Sequence, residues 1–374
     1  MTPPSDTLRN SLAAVRRRLD TYLARRDPAA LLDPRSEKEV ETLLSLLGSE
    51  TDRQMLKAAV TACAWLLWYQ YQAAPAESAR RYLSSALVLL RRLAVADPAA
   101  LPDELGPFAV WIFGGPHGWA YLGLRAFRGE IQGLPPSLAV DLVHCALRGI
   151  PADDPDHSRI LAELATAYRT NYVGSGDIQP LNEAIALATT GLDRISPTSP
   201  DRPSLLSDLS LCLVMRSRRL GGDEDAAEAV RLGELAAPTI SPGDSDRGRV
   251  LSNSARACAH LYGRTERPDL IGRAVVLGLD AVAATAVTDP YLAGRQLSLG
   301  IHAWALYQAQ REEEPDGGGR TAAHIAVDAL RQALDLTAPE EEVHRSAREL
   351  LPSVLHLRYE DWGDLDDLAA SLRL

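Results

Sequence analysis

DHSRILAELATAYRTNY at residues 156–172 returns as DRPSLLSDLSLCLVMRS at 201–217 and as DRGRVLSNSARACAHLY at 246–262. The three copies start at Asp156, Asp201 and Asp246, a spacing of 45 residues. Leu161, Leu206 and Leu251 fall in register, as do Ala165, Ser210 and Ala255, then Ala167, Cys212 and Ala257. The second half of each unit repeats as well, through Ala184, Ala229 and Ala274, then Ile185, Val230 and Val275, then Leu187, Leu232 and Leu277, then Ala188, Gly233 and Gly278. A period of this length, carrying two helical stripes, is that of stacked helical hairpins. One hairpin cannot cover its own apolar face, so its neighbours must. The expected fold is therefore an all-α solenoid, and the expected class of function is recognition by a scaffold.

Composition agrees with this reading. The 374 residues are 46% hydrophobic but only 5% aromatic, which suits helices packed through small residues. The net charge of −11 argues against nucleic acid, because phosphate-backbone binding needs a concentrated basic surface. No apolar run approaches the roughly 18 residues of a membrane span. The polar N-terminus, with basic residues alternating with leucines, is not that of a secretory leader. Cys63, Cys145, Cys212 and Cys258 are widely separated in apolar helical stretches, so free thiols in a reducing cytoplasm are expected.

Outward from the repeats, four segments are expected: an N-terminal cap over 1–50, a divergent hairpin over 51–96, an aromatic elbow and helix over 97–155, and regular repeats with a C-terminal cap over 156–374. In the cap, Leu8, Leu12, Val15, Leu19 and Tyr22 form a heptad stripe over 6–26. It either docks on the end of the array or pairs with a second copy in a homodimer. Ser36 and Glu39 have the spacing of a capping box for a helix over 36–47. Residues 97–135 hold all three phenylalanines among many glycines and prolines, which predicts an irregular segment. It plugs a joint, or it walls a pocket with Trp111, Phe113, His117, Trp119 and Tyr121. Asp153, Asp154 and Asp156 precede a helix, where capping explains them better than a metal does. A fourth unit starts near Tyr291. Its second helix is displaced by nine residues, which places an exposed loop at 312–319.

The stretch from Tyr172 through Gly176-Asp177 to Leu181 and Glu183-Ala184-Ile185, and the stretch Arg358-Tyr359 to Gly363-Asp364 and Leu368, carry a resemblance. They are similar to the long tetratricopeptide-type repeats of actinobacterial proteins that often precede CHAT (caspase-like) protease domains. The resemblance covers 156–374 well and 50–96 loosely. It implies partner recognition by the repeats. It does not imply proteolysis, since no Cys-His domain is expected here.

No HExxH, GxSxG, Walker or paired-cysteine zinc pattern occurs, so no cofactor is expected and an enzyme is the less favoured class. The first helix of each hairpin is expected to line a concave groove. Positions flanking the registered leucine, and one and two turns beyond it, should then face that groove. These are Arg159, Glu163, Thr166 and Arg169 in the first repeat, and Asp208 in the second. The third supplies Arg249, Asn253, Arg256 and His260, and the fourth Arg295 and His302. Arg249, Arg256 and Arg295 would make a positive strip suited to an acidic peptide or protein. The competing reading is an enzyme or small-molecule binder with its pocket at the 97–135 elbow.

Overall fold

The computed structural model describes residues 4–47, 52–127, 130–151, 153–313 and 319–373. All regular structure among them is helical, with no strand. The chain divides into two compact units, Met1–Ala167 and Tyr168–Leu374, and the division falls within one helix.

Unit 1 begins with α1 (Pro4–Arg25), α2 (Ala29–Leu32) and α3 (Pro34–Leu46), followed by the hairpin α4 (Arg53–Ala73) and α5 (Ala76–Ala96). The heptad stripe of α1 is spent inside this unit. Leu8, Leu12, Val15 and Leu19 are all buried, and α1 packs on α3 and α4. The docking reading of this helix therefore accounts for the stripe, and a dimer would have to use another face. α3 starts earlier than the Ser36 capping box suggested. Asp33 is its N-cap, accepting from the Arg35 amide at 2.9 Å. Ser36 is fully buried instead, its hydroxyl donating to the Leu31 and Asp33 carbonyls while Gln70 of α4 donates to it at 2.8 Å. A hydroxyl that helps satisfy buried backbone is worth more there than at a solvated cap.

The segment 97–135 is not one long helix, as expected, but it is more helical than its glycines and prolines suggest, with non-helical stretches at 101–105 and 130–135. After two short 3-10 turns at Pro98–Ala100 and Gly106–Phe108 it forms α6 (Ala109–Phe113) and α7 (Gly115–Phe127). α7 pairs with α8 (Pro136–Gly149) as a further hairpin. The glycines mark close approach rather than breaks. A Cβ at Gly118 would sit 2.2 Å from the Trp111 carbonyl oxygen, and one at Gly123 would sit 2.5 Å from the Ala139 carbonyl oxygen. These contacts involve backbone, which cannot swing aside. Gly118→Ala is expected to destabilise unit 1 by about 1–3 kcal/mol, because overpacking forces the backbone to shift. Thermal unfolding that matches the parent protein would refute this account of the glycine.

The dividing helix α9 (Pro155–Ser175) is followed by α10 (Ile178–Arg194), and then by the hairpins α11 (Arg202–Leu220) with α12 (Asp223–Ala236), α13 (Arg247–Thr265) with α14 (Pro268–Ala283), and α15 (Leu292–Glu313) with α16 (Arg320–Asp335). α17 (Glu342–Trp362) and α18 (Leu365–Ser371) follow. This is the all-α hairpin array that the period predicted. Each helix packs on its sequence neighbour from α10 to α18, and α11, α13, α15 and α17 also pack on one another in turn. That makes the first helices the inner layer of unit 2.

The register explains the stacking. Ser210 and Ala255 of the first helices, and Ala229 and Ala274 of the second, are all buried. Gly233 brings α12 so close to α13 that a Cβ there would lie 3.1 Å from Ser254. The hairpin turns differ in chemistry. Gly221 closes α11 in the left-handed conformation, where glycine carries no Cβ penalty. In the next hairpin Glu266 adopts that conformation instead, at φ 55°. In the fourth unit, Ala326, Ala329 and Leu330 of α16 share a core with Val275 of α14 and Leu351 of α17. Most of the loop expected at 312–319, residues 314–318, lies outside the described residues.

Candidate functional site

The candidate site is the inner layer of unit 2. α13 presents Arg249, Asn253, Arg256 and His260 at intervals of four, three and four residues, a single helical stripe. The same face of α11 carries Asp208, Leu211, Met215 and Arg218. Most polar groups on this wall already have partners. Arg249 donates through Nη1 to Asp208 and through Nη2 to Asp246, the latter at 2.7 Å. Asn253 is buried and donates to the Ser207 hydroxyl at 3.0 Å. His260 Nε2 lies 2.9 Å from the Ser217 hydroxyl. Asp208 is 8% exposed; burial raises its carboxyl above the usual range, with the Arg249 and Arg169 guanidiniums acting against that.

Arg295 does not join a strip with Arg249 and Arg256. Its side chain is 9% exposed and turns back to the loop before α15, where it holds Asp289 at 2.8 Å and the Thr285 hydroxyl at 2.7 Å. Since Arg249 is likewise committed to two carboxylates, the three-arginine strip is corrected to one member, Arg256. A carboxylate three to six residues away wins over a ligand because it is tethered at high effective concentration.

Arg256 stands differently. Among the described residues it forms no ion pair with a carboxylate. Burial, and then the charges of Arg218 and Arg169, lower it from its ordinary value. The Nε of Arg169, on α9 within unit 2, is buried and has no hydrogen-bond partner among the described residues. His302 of α15 is 7% exposed, and its Nδ1 is likewise buried without a partner. Burial, then the Arg256 and Arg218 charges, pull His302 down to about 4, so it is neutral at pH 7. The charges of Arg169 and Arg218 thus act on Arg256, and those of Arg256 and Arg218 on His302; Arg218 was not among the expected residues. Arg218 is twelve residues beyond the registered Leu206 and nearly three turns past Asp208, the position considered on that helix.

The first-repeat residues on α9 belong to unit 1 up to Ala167. Arg159 is exposed and pairs within its helix, to Asp156 at 2.9 Å and Glu163 at 3.0 Å. Thr166 is half-buried on the same helix and also has an interaction partner.

The aromatic residues of unit 1 do not converge on one cavity. Trp119 is buried and donates to the Ile112 carbonyl at 3.0 Å. Trp111 and Tyr121 stack with ring centroids 4.8 Å apart, and Phe113 is exposed. A cleft of about 470 Å³ is lined by Phe113 and Trp119 together with Val88, Arg91, Arg92 and Arg148. His117 lies outside that lining, its Nε2 3.2 Å from Asp154. His117, Asp154 and Asp156 place their ligand atoms within 4.8 Å of one another. The two acids have structural partners: Asp154 accepts from the Asp156 amide at 2.9 Å, and Asp156 accepts from Arg159.

The four cysteines are free and buried. Burial pushes the thiols of Cys63, Cys145 and Cys212 up to about 12, so none of these three offers a thiolate nucleophile at neutral pH. No helix among the described residues is long and apolar enough to cross a membrane.

The sequence matches no family profile and no curated protein. Among solved structures, the chain is similar to one described as "Circular tandem repeat protein with novel repeat topology and enhanced subunit contact surfaces". Identity is 15% and the TM-score 0.24, with 95% of this chain and 87% of that chain covered.

Proposed function

We propose that this protein is a recognition scaffold that takes an acidic protein segment along the inner face of unit 2. The observation that carries this reading is the half-buried Arg256, on which the charges of Arg218 and Arg169 act, while Arg249 and Arg295 are paired with carboxylates. Gathering like charges raises the free energy of the unliganded protein, and an anionic partner relieves it. The hairpins are read as tetratricopeptide-type, and the free thiols suit a reducing, cytoplasmic setting. The test is a displayed library of unstructured peptides. Sequences rich in Asp and Glu should be enriched, and Arg256→Ala should weaken their binding several-fold while leaving Tm nearly unchanged. Enrichment without acidic bias, or binding indifferent to Arg256→Ala, overturns the reading.

A second reading rests on the unit 1 cleft, where exposed Val88, Val95 and Phe113 lie beside three arginines. Such a mixture of apolar wall and cationic rim fits a small amphipathic anion. Val88→Trp would fill the cleft. A small molecule that copurifies with the parent protein but not with this variant would favour this reading, and one retained by both would remove it.

A further inference from the structure

We propose that the cleft of unit 1 binds a hydrocarbon chain that ends in a phosphoryl group, with Arg91, Arg92 and Arg148 holding the head. This deepens the second reading, of a small amphipathic anion in that cleft, and rests on it.

The cleft is one cavity of about 470 Å³, within the range of small-molecule sites, and elements of one unit enclose it. Its lining residues on α5 are Ser84, Val88, Arg91, Arg92 and Val95, spaced four, three, one and three residues apart, so they share a face of that helix. The two arginines lie one turn beyond Val88 and one turn before Val95. Phe113 at the end of α6, Trp119 on α7 and Arg148 on α8 face the same space.

The arginines of α5 fall into two groups. Arg80 and Arg81 are each matched by a carboxylate, Asp141 and Glu37, both at 2.6 Å. Arg91 and Arg92, in the cleft, form no ion pair among the described residues, and neither does Arg148. The lining contains no acidic side chain, although the chain has 50 acidic residues. Arg91 is also held in place. Its Nε donates to the Phe113 carbonyl at 3.0 Å, and its Cζ would lie 3.0 Å from a Cβ on Gly115. One nitrogen thus orients the guanidinium, and the Nη1 and Nη2 pair has no partner among the described residues. A fork fixed before binding loses less conformational freedom when a ligand arrives.

The lining limits the ligand at both ends. Val88, Val95 and Phe113 are each more than half exposed, an apolar surface that a hydrocarbon chain would take out of water. Arginine can only donate hydrogen bonds, and the Trp119 indole N–H is already given to the Ile112 carbonyl. The Ser84 hydroxyl is the one strong acceptor among the lining side chains. A sugar or nucleoside, whose hydroxyl and amino groups need acceptors, is therefore a poor match, whereas an oxyanion, which only accepts, fits. Charge chooses between oxyanions. A carboxylate meets one guanidinium of the three. A phosphoryl group near neutral pH carries about −1.5 to −2 and offers three acceptor oxygens. Guanidinium forks suit those oxygens by geometry as well as by charge.

The probes are octyl phosphate, octanoate and octanol, each below its micellar concentration, titrated by calorimetry into the whole protein near neutral pH. Octyl phosphate should bind saturably, at least tenfold more tightly than octanoate, and octanol should bind weakest. Arg92→Met and Arg148→Met keep the apolar stem and break no ion pair. Each should weaken octyl phosphate at least fivefold with Tm unchanged. Arg91→Lys keeps the charge without the fork and should weaken it as well. Arg81→Met, on α5 but outside the lining, should bind as the parent protein does. Octanoate binding as tightly as octyl phosphate overturns the phosphoryl head and leaves the cleft reading standing. If none of the three probes binds, both fall. Octyl phosphate binding that survives both Arg92→Met and Arg148→Met, or that is lost equally in Arg81→Met, overturns the proposal. So does binding to vesicles containing phosphatidic acid without binding of monomeric octyl phosphate, which would make this face a membrane contact.

Discussion

Tyr307→Ala is expected to lower the stability of unit 2 by about 3–5 kcal/mol, the range for removing a large buried ring. Tyr307 is completely buried where α15, α16 and α17 meet, against Ala322, Ala323, Leu357 and Trp362. Its ring lies 5.7 Å from Trp304 and 5.6 Å from Trp362. Its hydroxyl donates to Asp361, which also accepts from Arg311 at 2.8 Å. The ring and the hydroxyl can be separated. Tyr307→Phe keeps the packing and leaves Asp361 its guanidinium, so about 1 kcal/mol should be lost. Denaturant unfolding of both variants measures the difference. If the two cost the same, the ring is not what holds the last hairpin to α17.

Acid should weaken both units between pH 6.5 and about 4.5, before most carboxylates titrate. Burial, then the Arg80 and Arg148 charges, holds His144 in unit 1 down to about 4, and His302 in unit 2 is held at the same level by burial, Arg256 and Arg218. In the unfolded chain each histidine titrates near its ordinary 6.5. Over this window the unfolded state binds more protons, so stability rises with pH and falls on acidification. The stability is fully present above 6.5 and is lost as pH drops toward the folded value, about 3 kcal/mol for each histidine. His260, lowered by burial and by Arg218 and Arg264, acts in the same direction. Asp208, raised by burial, acts in the opposite one. Thermal unfolding at pH 7 and pH 4.5 should show Tm falling, and His302→Gln should blunt the fall in unit 2 alone. A Tm that is flat across this window would mean that these rings reach water in the folded state.

The helical array was legible because its cause is periodic. Residues 45 apart, such as Leu206 and Leu251 or Ala229 and Ala274, meet equivalent neighbours in each copy and are buried alike. A repeated environment leaves a repeated residue choice in the chain. The stripe of α1 was legible in the same way, as an apolar face that needed covering, although what covers it is a tertiary matter.

The 97–135 segment is only partly irregular because glycine has two physical uses. Gly115 and Gly133 supply positive φ, at +68° and +86°, whereas Gly118 and Gly123 let backbone approach backbone inside and beside a helix. Both uses give the same letter in the sequence. The candidate site divides along a similar line. Helical spacing placed Arg249, Arg256, Asp208 and His302 on the first helices, because spacing depends only on the turn of the helix. It could not distinguish an arginine whose charge is met by a nearby carboxylate from one left among other guanidiniums. Asp289 reaches Arg295 through a loop, and Asp208 reaches Arg249 from 41 residues away. Periodicity and apolar patterning thus determined the architecture of this protein. The partnering of charges, which depends on distances between helices that no spacing rule contains, was decided only by the tertiary structure.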